Sequence, residues 1–216
     1  MGIGRWIAAG LGVAAVGAVA AWAQYRDIEK PSYSSVIADG DFELRDYQPI
    51  IVAEVTHTGS RRNAQGASFR RLAAYIFGED RPDGGEEIAM TSPVMTAKVD
   101  QNAKIAMTSP VVTQNTGGDT WRMRFVMPSE YTLETLPSPP EDITLSAVAG
   151  RRVAAVRFSG YGGDADLAKV EKLLREWIAR QDLTPVGGVE YAFYDAPMVP
   201  GPLRRNEVMI EVATER

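Results

Sequence analysis

The chain has no cysteine and only one histidine, His57, among its 216 residues. The absence of cysteine excludes disulfides, zinc–thiolate sites, iron–sulfur clusters and thiol nucleophiles. A single imidazole excludes a cluster of histidine metal ligands, and any serine–histidine–aspartate triad would have to use His57. Basic residues are also scarce, because 23 Lys and Arg stand against 28 Asp and Glu, for a net charge of −5. Since phosphate binding needs clustered basic residues, nucleic acid is not an expected partner.

The stretch from residue 6 to residue 25 contains no charged side chain. As an α-helix it would be about 30 Å long, roughly the thickness of the hydrocarbon core of a bilayer. Arg5 lies before this stretch, with Trp6 at one edge and Trp22 and Tyr25 at the other, a pattern typical of a spanning helix with its amino end in the cytoplasm. We predict a membrane anchor at residues 1–25, which holds the remaining chain on the periplasmic or extracytoplasmic side of an inner membrane.

Two other interpretations of this segment stay open. The triplets Ala18-Val19-Ala20 and Ala21-Trp22-Ala23 fit the small-residue pattern of signal-peptide cleavage, after which the protein would be secreted to the periplasm. The segment is also compatible with a buried helix. Residues 26–35 are polar and are predicted to be a linker to a folded domain at residues 36–216.

The folded part begins with strand signals and then a clear helix signal. Ile50–Thr58 is rich in β-branched residues and predicts a strand that ends at Gly59. The segment Ser60–Phe77 has apolar residues spaced for one face of a helix. Gly78 is a typical stop signal after that helix.

The same strand–glycine–helix pattern recurs at a shift of 101 positions, as from Gly59 to Gly160. The shift predicts a duplicated unit, with halves at about 36–138 and 139–216. At this shift the apolar stripe of the first helix, which consists of Phe69, Leu72, Ala73, Ile76 and Phe77, corresponds to Val170, Leu173, Leu174, Trp177 and Ile178.

The string Ile-Ala-Met-Thr-Ser-Pro-Val occurs twice, at Ile88–Val94 and Ile105–Val111. The segments that contain it, Glu87–Lys98 and Lys104–Gln114, are predicted to form a β-hairpin. Nothing beside the Thr-Ser-Pro steps supplies a catalytic base, so we interpret them as strand ends at the mouth of a cleft. The next segment, Trp121–Met127, alternates apolar and polar residues and predicts a further strand.

The remaining segments complete a sheet. Val36–Tyr47 predicts two short strands around a turn, Leu136–Asp142 is a proline-rich crossover, and Val189–Tyr194 and Glu207–Val212 predict late strands. We predict an α+β fold, in which two helices pack on a curved or barrel-like antiparallel β-sheet.

Three motifs resemble those of the SOUL haem-binding protein family. They are Lys104–Val111, Phe125–Leu133 and the tail Tyr194–Pro200, which is followed by Arg204–Val208. The resemblance covers about Ser34–Val212. It implies a pseudo-twofold duplicated βαβββ unit in a distorted β-barrel with two helices, in agreement with the shift of 101 positions. It also implies binding of haem or another tetrapyrrole in an apolar cleft.

A tetrapyrrole needs an apolar slot for its ring, basic groups for its propionates and, when it carries iron, an axial donor. His57 is the candidate axial ligand because it is the sole imidazole. Arginine forks bind carboxylates well, and arginines flank the apolar stripe of the first helix. The candidate haem-binding residues are His57, Phe69, Arg70, Leu72, Ala73, Ile76, Met107, Arg204 and Arg205.

Each candidate also has a purely structural interpretation. An amphipathic helix buries such a stripe against a sheet without any ligand. His57 is also explained as a strand-end histidine in contact with water, and Met107 as a core methionine. Arg204 and Arg205 are equally explained by ion pairs at the entrance to the last strand.

We expect an exported, membrane-tethered protein that binds haem or a related tetrapyrrole in order to sequester, transfer or buffer it. Its expected partners are haem or porphyrin and, through residues 6–25, a membrane. The alternatives are an enzyme that acts on haem, for example by removing iron from the ring, and a binding module for another planar apolar ligand. No residue is assigned a catalytic role.

Overall fold

The computed structural model describes residues 28–82, 84–99, 119–196 and 198–214. Within these ranges, no helix is both long enough and apolar enough to span a bilayer. Three expectations lie outside the described residues. They concern the anchor or signal segment at residues 1–25, the second copy of the doubled string, and the candidate Met107.

The described residues form nine strands and two long helices. The helices are α1 (Arg61–Phe77) and α2 (Asp164–Arg180). The strands are β1 (Tyr33–Asp39), β2 (Phe42–Tyr47), β3 (Ile50–Thr58), β4 (Val94–Lys98), β5 (Thr120–Val126), β6 (Thr144–Val148), β7 (Arg151–Phe158), β8 (Pro185–Phe193) and β9 (Asn206–Val212). A short 3-10 turn at Gly201–Leu203 precedes β9.

The nine strands form one antiparallel sheet in the order β1-β2-β7-β9-β8-β4-β5-β3-β6. Its two halves meet between β8 and β4. Counted outward from this junction, β8, β9, β7 and β2 on one side correspond in order to β4, β5, β3 and β6 on the other. The first half follows the βαβββ succession from β3 through α1 to β6. The second half takes its fourth strand, β2, from the amino-terminal side. The predicted fold class is therefore confirmed as a curled, half-barrel antiparallel sheet with two helices.

Apolar side chains are buried on both faces of the sheet. On the helix face, α1 packs on β3 and β5, while α2 packs on β7 and β9. Each helix covers its own apolar cluster, one centred on Leu72 and the other on Trp177. The opposite side, called the far face, carries a third cluster whose members are Val52, Met95, Val126, Val153, Ala155, Ala192 and Met209.

The two glycines that end β3 and β7 have nearly the same conformation. Gly59 has a φ of 122° and Gly160 a φ of 124°, values that side-chain-bearing residues rarely adopt. Each backbone N–H donates to a loop carbonyl, that of Asp119 at 2.8 Å for Gly59 and that of Gly201 at 2.9 Å for Gly160. The duplication is therefore visible at single-residue level in these turns.

The shift of 101 positions does not continue into the helices. Leu72, Tyr75 and Ile76 on α1 are fully buried, and their buried counterparts on α2 are Leu174, Trp177 and Ile178, each 102 positions later. The predicted partner of Leu72, Leu173, is 43 % exposed. The turns before the helices also differ, since α1 begins two residues after Gly59 whereas α2 begins four residues after Gly160.

Three element boundaries differ from those predicted. β1 begins at Tyr33, inside the predicted linker at 26–35, because Tyr33 pairs with Tyr47 across the sheet. β4 begins at Val94 instead of Glu87, since Pro93 before it has no N–H to donate. β8 begins at Pro185 instead of Val189, through its pairing with the last strand.

Candidate functional site

His57 lies near the carboxyl end of β3 and points to the helix face, on the same side as Ala53 and Val55. Its Nδ1 atom is 2.9 Å from the Oγ atom of Ser68 on α1. Ser68 is 1 % exposed, whereas the imidazole is half-buried. The contact with Ser68 orients the ring and leaves Nε2 as the nitrogen suited to ligate a metal.

The predicted stripe on α1 divides into a buried part and a reachable margin. Leu72 and Ile76 are core residues, packed under the helix with Phe125. Ala73 is half-buried, and Phe69 is 37 % exposed, with its ring centroid 5.5 Å from that of Phe125 in an edge-on contact. A ligand can therefore reach the margin formed by Phe69 and Ala73, whereas it cannot contact Leu72 or Ile76.

Arg70 adjoins this margin, whereas the neighbouring Arg71 forms ion pairs that stabilise the fold. Arg71 donates two hydrogen bonds to the carboxylate of Asp142, both 2.6 Å long, and also contacts Asp80. These bonds from Arg71 hold the pKa of Asp142 below its usual value. Arg70 follows Phe69 directly and is exposed. It is thus the predicted arginine best placed to meet a ligand carboxylate at the margin.

Arg204 and Arg205 belong to a different part of the molecule. Arg205 donates to the carboxylate of Glu207 at 2.7 Å, and its guanidinium carbon lies 4.5 Å from the ring centroid of Tyr194. Arg204 donates to the carbonyl of Val199 at 2.7 Å. The structure therefore joins His57 to α1 at Ser68, the residue before Phe69, and places the two later arginines at the start of β9.

The far face carries a buried ion-pair network that the sequence reasoning missed. Arg45 and Glu207 are 1 % and 0 % exposed and form a two-pronged pair, with N–O distances of 2.7 and 3.1 Å. The Tyr194 hydroxyl donates to the same carboxylate at 2.7 Å. Burial favours the neutral acid, but bonds and charge from Arg45, aided by Tyr194 and Arg205, outweigh it and hold the pKa of Glu207 below its usual value. The sequence feature that could have indicated this network is Glu207 itself, a charged residue that directly precedes the apolar run of β9.

Ser68 is the second residue that the sequence reasoning missed. It is a small polar residue in the middle of an amphipathic helix, and such residues usually face solvent. Here it is buried because it meets the imidazole of His57. Its spacing could have indicated this burial, because Ser68 lies four residues from Ala64 and four from Leu72, and all three are buried.

A small cavity lies on the far face, between the two edges of the curled sheet. Its volume is about 20 Å³, and Tyr47, Ile50, Met95, Arg151 and Met209 are among the residues that line it. That volume is room for about one water molecule, so this cavity does not accommodate a porphyrin ring. Within the described ranges, no group of three or more acidic or histidine side chains could hold a metal ion.

Several solved structures share this fold. The C-terminal domain of EcmrR matches with a TM-score of 0.56 and 11 % identity, over 85 % of this chain and 99 % of that one. An uncharacterized conserved protein from Listeria innocua matches with a TM-score of 0.53 and 11 % identity, over 80 % and 92 %. A hydrolase from Listeria innocua matches with a TM-score of 0.50 and 11 % identity, over 82 % and 94 %. At such identities the likeness shows the fold alone.

No curated protein sequence matches the chain. A family model does match it. That model is described as SOUL heme-binding protein, and it matches two successive segments, residues 28–102 and 97–211. Together the segments cover the folded part, and their succession agrees with the two halves of the sheet. The chain therefore belongs to the SOUL haem-binding protein family.

Proposed function

We propose that this protein binds haem or a related tetrapyrrole at the margin of α1 beside His57. The observation that carries the proposal is the 2.9 Å contact between His57 and Ser68, which holds the imidazole against α1 at the residue before the exposed Phe69, in a chain of this family. His57 would ligate the iron, Phe69 and Ala73 would contact the ring, and Arg70 would pair with a propionate.

The open position of this margin favours exchange of the ligand over permanent retention. Phe69 and Arg70 are both exposed, so a tetrapyrrole held there would keep one side in contact with water. A prosthetic group is usually enclosed much more completely. We therefore propose a role in sequestering, buffering or handing over haem.

We further infer that the protein is exported and tethered to the inner membrane through residues 6–25. The support is the uncharged stretch itself, with aromatic residues at its two edges. Cleavage as a signal peptide, which would release the domain into the periplasm, is the alternative.

A second candidate function is removal of iron from the ring. The chain has one histidine, so a single chain cannot hold the iron between two imidazoles. Coordination from one side leaves the metal easier to release than coordination from both. The fluorescence of metal-free porphyrin measures this reaction. Its accumulation only in the presence of intact protein would favour this function.

A hemin titration of residues 28–216 tests the binding proposal. We expect a saturable change in the Soret band at low micromolar hemin, because the margin offers an aromatic contact and an axial nitrogen. His57→Ala should shift the Soret maximum of the complex, since the axial donor is removed. Phe69→Ala should weaken binding by about tenfold or more, which corresponds to the loss of one partly buried aromatic contact.

Two matched variants serve as controls. Thr56→Ala changes an exposed residue of β3 that points to the far face, and Phe77→Ala changes a 44 % exposed phenylalanine at the carboxyl end of α1, eight residues after Phe69. Both should bind hemin as the unchanged chain does. Binding without saturation, or equal losses from Phe69→Ala and Phe77→Ala, would contradict a site at this margin.

A further inference from the structure

Three strongly exposed apolar side chains occupy two adjoining loops at one end of the sheet. Tyr161 is 68 % exposed, and Met198 and Leu203 are each 74 % exposed. The loops touch each other, because the N–H of Gly160 donates to the carbonyl of Gly201 at 2.9 Å. We call Tyr161, Met198 and Leu203 the tip. Apolar side chains grouped at this exposure mark a contact surface more often than isolated ones do.

The tip also carries the polar chemistry of a membrane interface. The guanidinium carbon of Arg204 lies 4.7 Å from the ring centroid of Tyr161. Tyrosine and arginine both combine an apolar body with a polar end, and both are favoured where acyl chains meet headgroups. Leucine and methionine beside them are suited to the apolar side of that boundary.

The amino-terminal end of the described chain lies at the base of the loop that carries Met198 and Leu203. The carbonyl of Glu29 accepts a hydrogen bond from the N–H of Ser92 at 2.9 Å. The Ser92 hydroxyl in turn donates to the carbonyl of Tyr194 at 3.2 Å. Tyr194 and Arg205 are the two ends of the loop that contains Met198 and Leu203, and they are joined by a backbone hydrogen bond of 3.2 Å.

The short spacing between the uncharged stretch and Glu29 limits how the domain can sit on a bilayer. Four residue steps separate Tyr25 from Glu29, and a fully extended chain of that length reaches at most about 14 Å. If residues 6–25 span the bilayer, as proposed above, Glu29 is held close to the lipid surface. The same tether then holds the base of the loop that carries Met198 and Leu203 close to the headgroups.

We propose that the tip inserts into the outer headgroup region of the bilayer that holds residues 6–25. The domain is then attached to the bilayer at two points, the tether and the tip. Its orientation relative to the bilayer is therefore fixed. This inference rests on the membrane tether of the proposed function, and it is independent of whether the margin of α1 binds haem.

Single cysteines test the proposal cleanly, because the chain has none of its own. Leu203→Cys in the full chain, labelled with an environment-sensitive fluorophore, reports on the tip. Val186→Cys is the matched control, since Val186 is 59 % exposed and lies near the start of β8, at the opposite end of the strand that leads to Tyr194. Both proteins are reconstituted into vesicles of phosphatidylcholine and phosphatidylglycerol.

We expect the label at position 203 to show a blue-shifted emission and to be quenched by lipids brominated in the upper acyl chain. The label at position 186 should show neither effect. Equal emission and quenching at the two positions, in protein that co-floats with the vesicles, would overturn the inference. A blue shift at 203 that depends on protein concentration and not on lipid would point to a second copy as the occupant, and it too would overturn the inference.

The outcome can be separated from that of the proposed function. Failure of the full chain to co-float with vesicles would overturn both the tether and the tip contact, whereas the hemin titration would be unaffected. Loss of the tip signal with normal co-flotation would overturn the tip contact alone.

Discussion

Glu207 is a charged residue inside a strand whose next three positions, Val208 to Ile210, are all buried and apolar. A buried carboxylate is tolerated only when it is paired, and here Arg45, Arg205 and Tyr194 all donate to it. Its partner Arg45 lies 162 positions away in the chain. The network therefore ties β2 of the amino-terminal part to β9 of the second half.

Replacement of Glu207 should reduce both stability and its dependence on pH. Glu207→Gln leaves Arg45 buried beside a neutral group, and we expect a loss of about 3–5 kcal/mol in the free energy of unfolding at pH 7. Because the folded pKa of Glu207 lies below its ordinary value of 4.5, its ion pairs stabilise the protein above pH 4.5 and are lost as the pH falls through the folded pKa. Urea unfolding at a series of pH values measures both effects.

The control for this prediction is Glu176→Gln on α2, where the carboxylate is 3.9 Å from Lys172 on a solvated surface. It should change the free energy of unfolding by about 0.5 kcal/mol or less. Asp46 and Asp142 also have lowered pKa values, so part of the acid sensitivity persists in every variant. An unchanged pH profile in Glu207→Gln would show that the carboxylate is not charged and paired as described.

At the scale of elements, the two helices show how a displacement of one position changes which residues are buried. One residue corresponds to a rotation of about 100° around a helix axis. The buried face of α2 is displaced by one position from the predicted shift of 101, so Leu174 lies in the core and Leu173 is exposed, although periodicity alone predicted both on one stripe. On α1 the buried face likewise includes Ser68 and leaves Phe69 at the margin.

Two alanine substitutions on α2 test this placement. Leu174→Ala should lower the free energy of unfolding by about 2–5 kcal/mol, because it leaves a cavity beneath the helix. Leu173→Ala should cost about 0.5 kcal/mol or less, since its side chain is 43 % exposed. Denaturant midpoints compared at equal slopes measure the difference. Equal losses from the two substitutions would mean that the helix face is not oriented as described.

At the scale of the whole molecule, a division of the chain at residue 138 leaves neither part complete, because residues 28–138 lack β6 and residues 139–216 lack β2. The second half takes β2 from the amino-terminal side, and β7 pairs with it along its length. Trp177 of α2 is fully buried, stacks on Phe42 at a centroid distance of 5.6 Å, and donates its indole N–H to Asp39 at 2.9 Å. The core under α2 is therefore built from residues of both halves.

We accordingly expect residues 28–138 and 139–216 to remain without fixed tertiary structure when they are produced separately. The 139–216 fragment should lack the near-ultraviolet circular dichroism of an immobilised Trp177, and mixing the two fragments should restore it. As a control, the intact chain is cleaved at an inserted protease site at the same position after folding, and it should retain the signal. A native-like spectrum from 139–216 alone would contradict the shared core.

Local patterns in the sequence were sufficient for the strand at Ile50–Thr58, the helix after Gly59 and the duplication, because each depends on periodicity and turn chemistry within a few residues. The motifs were sufficient for the family. Periodicity did not distinguish Leu173 from Leu174, because that distinction depends on how α2 is rotated against the sheet. The role of His57 as a ligand, and of the other margin residues, stays a prediction.

Only the tertiary structure decided which polar residues meet. Ser68 faces His57, and Arg205 faces Glu207 instead of lying beside α1. These pairings depend on how the curled sheet brings distant strands and helices together, and the energy of a buried polar group depends on its partner. A sequence pattern records that a residue is polar and where it lies in its element. The identity of its partner is determined by the packing of the whole chain.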